Sequence, residues 1–306
     1  MTLHVVVGKG PVGTGTAELL AAQGHQVRVL SRSGGPTTGP VQHHAVDATD
    51  VGALTAATVD AATIYNAANP SYTRWATDWP PLAAALLTAA ERSGAGLVTM
   101  GNLYGYGRPT GPMTPDAPLA ATDTKGRVRA RMWVEMVAAQ TAGRARVTEA
   151  RASDFLGPTV PPEQSHLLRQ LAGIRKGRRS WVVGDPDVPR SWTAMSDIVA
   201  LLAVLGTDDR GWGRAWMVPS QVRTQRDAVA DLARAAGVPA PRVAGIPWPL
   251  LRAAGLAVPF AREVVDVRHQ FDQEFVLDAT LTTETFGLTP TPWEQTLSAA
   301  VAGSRA

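Results

Sequence analysis

The sequence predicts a doubly wound parallel α/β sheet followed by a smaller C-terminal α/β substrate lobe. Three observations carry that expectation. Short β-branched apolar runs alternate with Ala/Leu-rich helical stretches through the first half of the chain. A glycine-rich turn, Gly8-Lys9-Gly10-Pro11-Val12-Gly13, joins the first apolar run to the first helical stretch. The second half is less regular, with turns rich in Pro and Gly and no repeat or low-complexity tract.

Taken in order, HVVV (4–7) reads as the first strand and 11–23 as the first helix, stopped by Gly24. VRVL (27–30) and HHAV (43–46) are the second and third strands, and a helix opens near Asp50. ATIYNAA (62–68) is the fourth strand, with a long helix over 75–93. GLVTM (96–100) is the fifth, followed by a Gly/Pro-rich loop over 101–120, a helix over 122–142 and a sixth strand, RVTEARA (146–152). Beyond it, FLGPTVPPEQ (155–164) reads as a loop, 165–176 as a helix and WVVG (181–184) as a strand. Asp197 is placed to cap a helix running to about 205, and further helices fit 225–236 and 247–256. Thr291, Pro292 and Glu294 spell a capping box with proline at the first helical position. The expected division is a dinucleotide-binding domain over 1–155 and a mainly substrate-binding lobe over 156–306, some of whose segments return to the sheet.

Composition narrows the function classes. The chain has 306 residues, 45% apolar and 18% charged, an ordinary globular balance. It has no cysteine, which excludes disulfides, thiolate metal sites and cysteine nucleophiles. The net charge is +3 and the arginines are scattered among acids, so a nucleic-acid partner is not expected. No apolar run reaches the ~18 residues of a spanning helix, so no membrane partner is expected either. The start, MTLHVVVGKG, lacks a basic segment ahead of an apolar one, so the expected location is cytoplasmic. No metal is expected: His43 and His44 adjoin on one strand and so point to opposite faces. Only three of the 29 Lys and Arg residues are lysines, Lys9, Lys125 and Lys176, and two of these fall within the glycine turn and the 124–129 stretch.

A glycine turn that follows a strand and opens a helix inside a βαβ unit is the setting in which G-x-G-x-x-G binds a dinucleotide. The candidate contacts are Gly8, Lys9, Gly10, Pro11, Val12 and Gly13. The second strand ends Leu30-Ser31-Arg32-Ser33, with no acid to accept from a ribose 2′-hydroxyl. Ser31 and Arg32, with Lys9 as a second cation, suit a 2′-phosphate, so NADP(H) is favoured over NAD(H). Asp47 and Ala48 follow the third strand; Asp47 either meets the adenine or caps the next helix. Ala67, Ala68 and Asn69 end the fourth strand, where small side chains let a cofactor pass.

With these pieces in place, the chain resembles the short-chain dehydrogenase/reductase superfamily, in its extended or atypical NAD-dependent epimerase/dehydratase-like branch. The resemblance runs nearly end to end. It rests on the glycine turn, Asp47, NAA (66–68), LYG (103–105), RASDFLGP (151–158), RSWTAMSDI (190–198) and FGLTPTPWEQTL (286–297). It implies a Rossmann domain, a C-terminal substrate lobe and hydride chemistry on a nicotinamide cofactor. The family's Ser/Thr position falls on Met100, and its Tyr-x-x-x-Lys pattern lies over Lys125 and Arg129, so all three catalytic identities are replaced.

At i and i+4, Lys125 and Arg129 share a helix face. The resemblance implies a proton-handling or cofactor-holding place for Lys125, and a ribose-anchoring place for Arg129. Asn102, Tyr104 and Asp154 line the same mouth as further catalytic candidates; a loop tyrosine can replace the missing hydroxyl, and Asp154 can pair with Lys125. Tyr72, Met100, Tyr106, Arg190 and Trp192 are substrate candidates, Arg190 lying where sugar-nucleotide relatives hold a phosphate. Trp181, Trp192, Trp248 and Trp293 hint at an apolar or aromatic substrate. The leading expectation is an NADP(H)-dependent oxidoreductase of a small organic carbonyl, alcohol or alkene. The alternatives are a non-redox isomerase, lyase or cyclase, or a catalytically silent dinucleotide-binding protein. The expected partner is a small molecule, and the expected assembly a monomer or homodimer.

Overall fold

The computed structural model describes residues 2–37 and 39–304. The first half runs β1 (Leu3–Val7), α1 (Pro11–Ala22), β2 (Gln26–Ser31), β3 (Val41–Ala45), α2 (Val51–Ala57), β4 (Ala61–Asn66), α3 (Trp75–Ser93), β5 (Gly96–Asn102), α4 (Thr124–Thr141) and β6 (Val147–Ala152). Then come β7 (Asp154–Leu156), α5 (Leu171–Ile174), β8 (Ser180–Val183), β9 (Pro189–Ala194), α6 (Met195–Thr207), β10 (Ala215–Met217), β11 (Gln221–Thr224) and α7 (Gln225–Ala235). The chain closes with β12 (Val243–Ile246), α8 (Trp248–Gly255), α9 (Pro259–Asp266), α10 (His269–Asp272), α11 (Thr280–Phe286) and α12 (Trp293–Gly303).

Seven parallel strands form the main sheet in the order β10-β6-β5-β4-β1-β2-β3. Consecutive side chains of β1 feed opposite cores, as the period of a strand requires. Val6 packs with Ala17, Leu20, Ile198 and Leu201 on the α1/α6 face. Val5 and Val7 pack with Leu54, Leu86 and Met136 on the α2/α3/α4 face. A sheet covered on both faces explains why its strands read as continuous apolar runs. Strand order reverses at β1, so the crevice beyond the carboxyl ends of β1 and β4 is where such a sheet takes ligands.

Segments beyond residue 155 belong to this sheet. β10 pairs with β6, and α6 lies so close to α1 that a Cβ on Gly15 would stand 2.8 Å from Val199 Cγ2. The rest of the second half builds a three-stranded sheet (β11-β9-β7) and a two-stranded one (β12-β8).

Four sequence expectations are corrected. The 155–164 loop begins as strand β7, because Phe155 and Leu156 pair with Thr193 and Ala194 of β9. The 165–176 helix is instead a single 3-10 turn at Leu168–Gln170 running into the one-turn α5. Asp197 does not cap α6, whose N-cap is Ala194 without a side-chain bond. It lies in the first turn, and its carboxylate accepts the Thr291 amide (2.9 Å). That bond and the one from the Thr291 hydroxyl occupy the residue expected to cap the last helix. The N-cap of α12 is Pro292, without a capping box.

Candidate functional site

The glycine turn is shaped by close approach. Gly8 holds a φ of 109°, and its amide donates to the Leu30 carbonyl at 2.9 Å. A Cβ there would stand 2.7 Å from the Ala67 carbonyl oxygen, and one on Gly13 would stand 2.0 Å from the Gly8 carbonyl. At Gly10 no described atom lies within 4 Å of a Cβ position, so bare backbone faces the crevice. α1 starts at once with Pro11, and no side chain caps it. Its unpaired first-turn amides and positive dipole end form an anion cradle of the kind a pyrophosphate fills.

Beside the cradle, Lys9 Nζ donates to the Gly34 carbonyl (3.0 Å), and Ser31 Oγ donates to the same oxygen (3.3 Å). Arg32 is exposed and forms no ion pair among the described residues. Asp47 turns back on Thr49, accepting its amide at 3.0 Å and its hydroxyl at 2.8 Å. The Thr49 amide chiefly, then its hydroxyl, hold the Asp47 carboxyl below the usual range. The helix-cap alternative falls to Asp50, which accepts the Gly52 and Ala53 amides of α2. Ala48, Ala67 and Ala68 are half-buried along the carboxyl edge, and Asn69 is exposed beyond them.

α4 delivers Lys125. Asp123 caps it by accepting the Gly126 amide at 2.8 Å. Gly126 lets the helix settle on the Leu103-Tyr104-Gly105 turn, since a Cβ there would stand 2.5 Å from the Tyr104 carbonyl. Lys125 is 6% exposed; its ammonium pairs with Glu263 of α9 and sits 4.2 Å from the centroid of the Tyr72 ring. Arg129, one turn on, shares the Trp75 ring with Lys125, at 5.9 Å and 5.8 Å from its centroid. Its guanidinium donates to the Met100 carbonyl at 2.7 Å and stacks 4.7 Å over Trp79. That bond holds α4 against β5, while the buried Nε of the same guanidinium has no hydrogen-bond partner among the described residues. Burial lowers its pKa from the ordinary arginine value.

The loop candidates meet around this lysine. The Tyr72 and Tyr104 hydroxyls lie 3.3 Å apart. Burial pushes Tyr104 up to about 12 and raises Tyr72 well above the usual phenol range, so both are neutral hydrogen-bonding groups. Asn102 accepts the Tyr104 amide at 3.1 Å and so fixes the turn. Asp154 does not pair with Lys125. It takes Arg190 instead, accepting Nε at 2.6 Å and the second nitrogen at 2.5 Å. His166 approaches Asp154 to 4.0 Å, but burial lowers it to about 4, so it is neutral at pH 7.

Four substrate candidates are interior residues. Arg190 is 1% exposed and held by Asp154 between Trp192 and Phe271. Trp192 is core, its indole donating to the Arg223 carbonyl. Tyr106 donates to the Thr114 carbonyl (2.8 Å) and accepts from Arg151. Met100 is buried in β5. Only Tyr72 borders Lys125. Sequence reasoning missed Glu263, Trp75, Phe260 and His166; Glu263 lies 138 positions from Lys125 with no motif to mark it. Among the described residues no cluster of His or acids could hold a metal, and no helix is long and apolar enough to cross a membrane.

The fold is a Rossmann-like α/β sheet, and a buried lysine stands beside two neutral, hydrogen-bonded tyrosines. Residues 5–217 match the NAD dependent epimerase/dehydratase family, and the chain belongs to it. Its structure is similar to that of MoeE5 in complex with UDP-glucose and NAD (19% identity, 100% of this chain and 99% of that one, TM-score 0.79). It is also similar to dTDP-glucose 4,6-dehydratase from Bacillus anthracis with NAD (17%, 100% and 97%, 0.80). A third similar structure is UDP-glucuronic acid 4-epimerase from Bacillus cereus with NAD (13%, 99% and 99%, 0.80). No curated protein sequence matches the chain.

Proposed function

We propose that the protein is an NADP(H)-dependent oxidoreductase acting on a small organic carbonyl, alcohol or alkene, with Lys125 at the proton-handling position. Two observations support this reading: a glycine turn with bare backbone at Gly10, and a buried lysine against the Tyr72 and Trp75 rings, with Tyr104 beside both of these. The bare backbone at Gly10 fits a pyrophosphate, and Arg32, exposed and without an ion pair among the described residues, fits a 2′-phosphate. In this reading Gly8 to Gly13 hold the pyrophosphate, while Ser31, Arg32 and Lys9 select the 2′-phosphate. Asp47 and Ala48 border the adenine, and Ala67, Ala68 and Asn69 leave room alongside. Bound there, the dinucleotide supplies or accepts a hydride.

Lys125 would hold or move a proton at the substrate oxygen, or stabilise charge building on it. Tyr104 and Tyr72 would orient the same oxygen as neutral donors, and Asn102 would keep the Tyr104 turn in place. The similar structures named above hold nucleotide sugars or a nicotinamide dinucleotide. Here Asp154 already bonds two nitrogens of the buried Arg190, which favours a small uncharged substrate over a diphosphate.

The test is dinucleotide oxidation on a panel of aldehydes, ketones and enones, with wild type beside Lys125→Ala and Lys125→Tyr. Turnover is expected to fall ~10²- to 10⁴-fold in Lys125→Ala and to recover in part in Lys125→Tyr. Equal turnover in Lys125→Ala and wild type would remove the lysine from the chemistry.

A further inference from the structure

A buried cation is costly unless it is paired, so the partner that Lys125 has found is informative. That partner comes from a part of the fold with little burial. α8 and α9 form a helical hairpin, and α8 buries none of its side chains. Leu250 and Leu256 are 62% and 92% exposed. The hairpin is held to the body at the start of α8, where the Trp248 indole donates to Asp272 (2.9 Å), and along α9. Val264 packs with Val267 and Phe271 against Tyr104, and the Phe260 ring lies 5.7 Å from Tyr72. Glu263 stands between these two contacts and reaches inward to Lys125.

We infer that Glu263 is the positioning residue of Lys125, and that the α8–α9 hairpin carrying it closes over the crevice by forming this ion pair. The inference rests on the catalytic placing of Lys125 above. The groups facing the ammonium are few. Tyr72 and Trp75 offer ring faces, Tyr104 offers a hydroxyl bonded to that of Tyr72, and Asp123 is turned to the Gly126 amide. Glu263 is thus the carboxylate that fixes where the ammonium points. With the hairpin lifted, Lys125 faces an open crevice beside Tyr72. With it seated, the cage is closed by Phe260 and the charge is neutralised, which suits an uncharged substrate.

Because the chain has only three lysines, each amine can be followed separately by mass spectrometry after brief labelling with trinitrobenzenesulfonate. Glu263→Gln is expected to raise labelling of Lys125 about tenfold, by freeing the amine and loosening the hairpin, with Lys9 and Lys176 unchanged. Glu263→Asp is expected to restore much of the protection. Unchanged labelling of Lys125 in Glu263→Gln would overturn the inference. Should that variant fold poorly, hydrogen exchange of residues 257–266 in Lys125→Met reads the pair from the other side. Faster exchange there supports the latch, and unchanged exchange contradicts it. Neither readout needs turnover, so loss of the catalytic reading and loss of the latch are told apart.

Discussion

The Arg129 guanidinium donates to the Met100 carbonyl at 2.7 Å and sits 4.7 Å from the centroid of the Trp79 ring. This bond ties the long helix that bears Lys125 to the carboxyl end of β5. Two positions of the replaced pattern, Met100 and Arg129, are thus bonded to each other, and the third, Lys125, is buried and paired with Glu263. Arg129→Met should therefore destabilise the fold by ~2–3 kcal/mol, since it strands a buried carbonyl and loses the stacking. Urea unfolding measures this. A loss of dinucleotide affinity without a loss of stability would instead make Arg129 a ligand contact.

In the proposed function Arg32 selects the 2′-phosphate. Arg32→Ala should weaken NADPH binding about tenfold, the loss expected for one exposed charge-assisted contact, while NADH binding changes little. Parallel fluorescence titrations of both nucleotides check it. Equal losses for the two would assign Arg32 a general electrostatic role.

The cradle depends on absent side chains. Gly13→Ala places a methyl group 2.0 Å from the Gly8 carbonyl, so the turn must open. Dinucleotide binding should fall below detection, and stability should drop by ~1–3 kcal/mol. Retained nucleotide affinity would show that the cradle lies elsewhere.

Burial lowers His166 from 6.5 to about 4, so the folded state holds it neutral. The resulting stability is fully present above pH 6.5 and is lost as pH falls through 4, because the unfolded chain takes up the proton first. The shift amounts to about 3 kcal/mol when the loss is complete. His4, lowered to about 4 by burial and then by His25, acts in the same window and direction. Unfolding free energies of wild type and His166→Gln, measured from pH 7 to 4, should converge as pH falls. A constant difference would contradict the neutral buried imidazole.

The first half of the fold was legible because its strands are buried on both faces and its helices follow at regular spacing. Even the 75–93 helix lies where periodicity puts it. The second half was harder to read. Its short strands β7, β9 and β11 include polar residues whose pairing is fixed only by neighbours far along the chain, as Asp154 opposite Trp192 illustrates. The cap readings failed for a related reason. Thr291 has the right residue type for a cap, but Asp197, 94 positions away, takes its amide and hydroxyl. At the site, Lys125 and the glycine turn stood out by motif and by rarity. Its partner did not: Asp154 was the acid nearest by motif, but Arg190 holds it, and Glu263 arrives on a hairpin with no signature.

The central claim is that the Gly8–Gly13 turn and Arg32 bind a phosphorylated nicotinamide dinucleotide beside Lys125. Its most direct test is titration of the wild-type protein with NADPH and NADH, followed by nucleotide fluorescence. Saturable binding of both is expected, tighter for NADPH. Tighter binding of NADH would contradict the Arg32 assignment, and no binding of either would contradict the account as a whole.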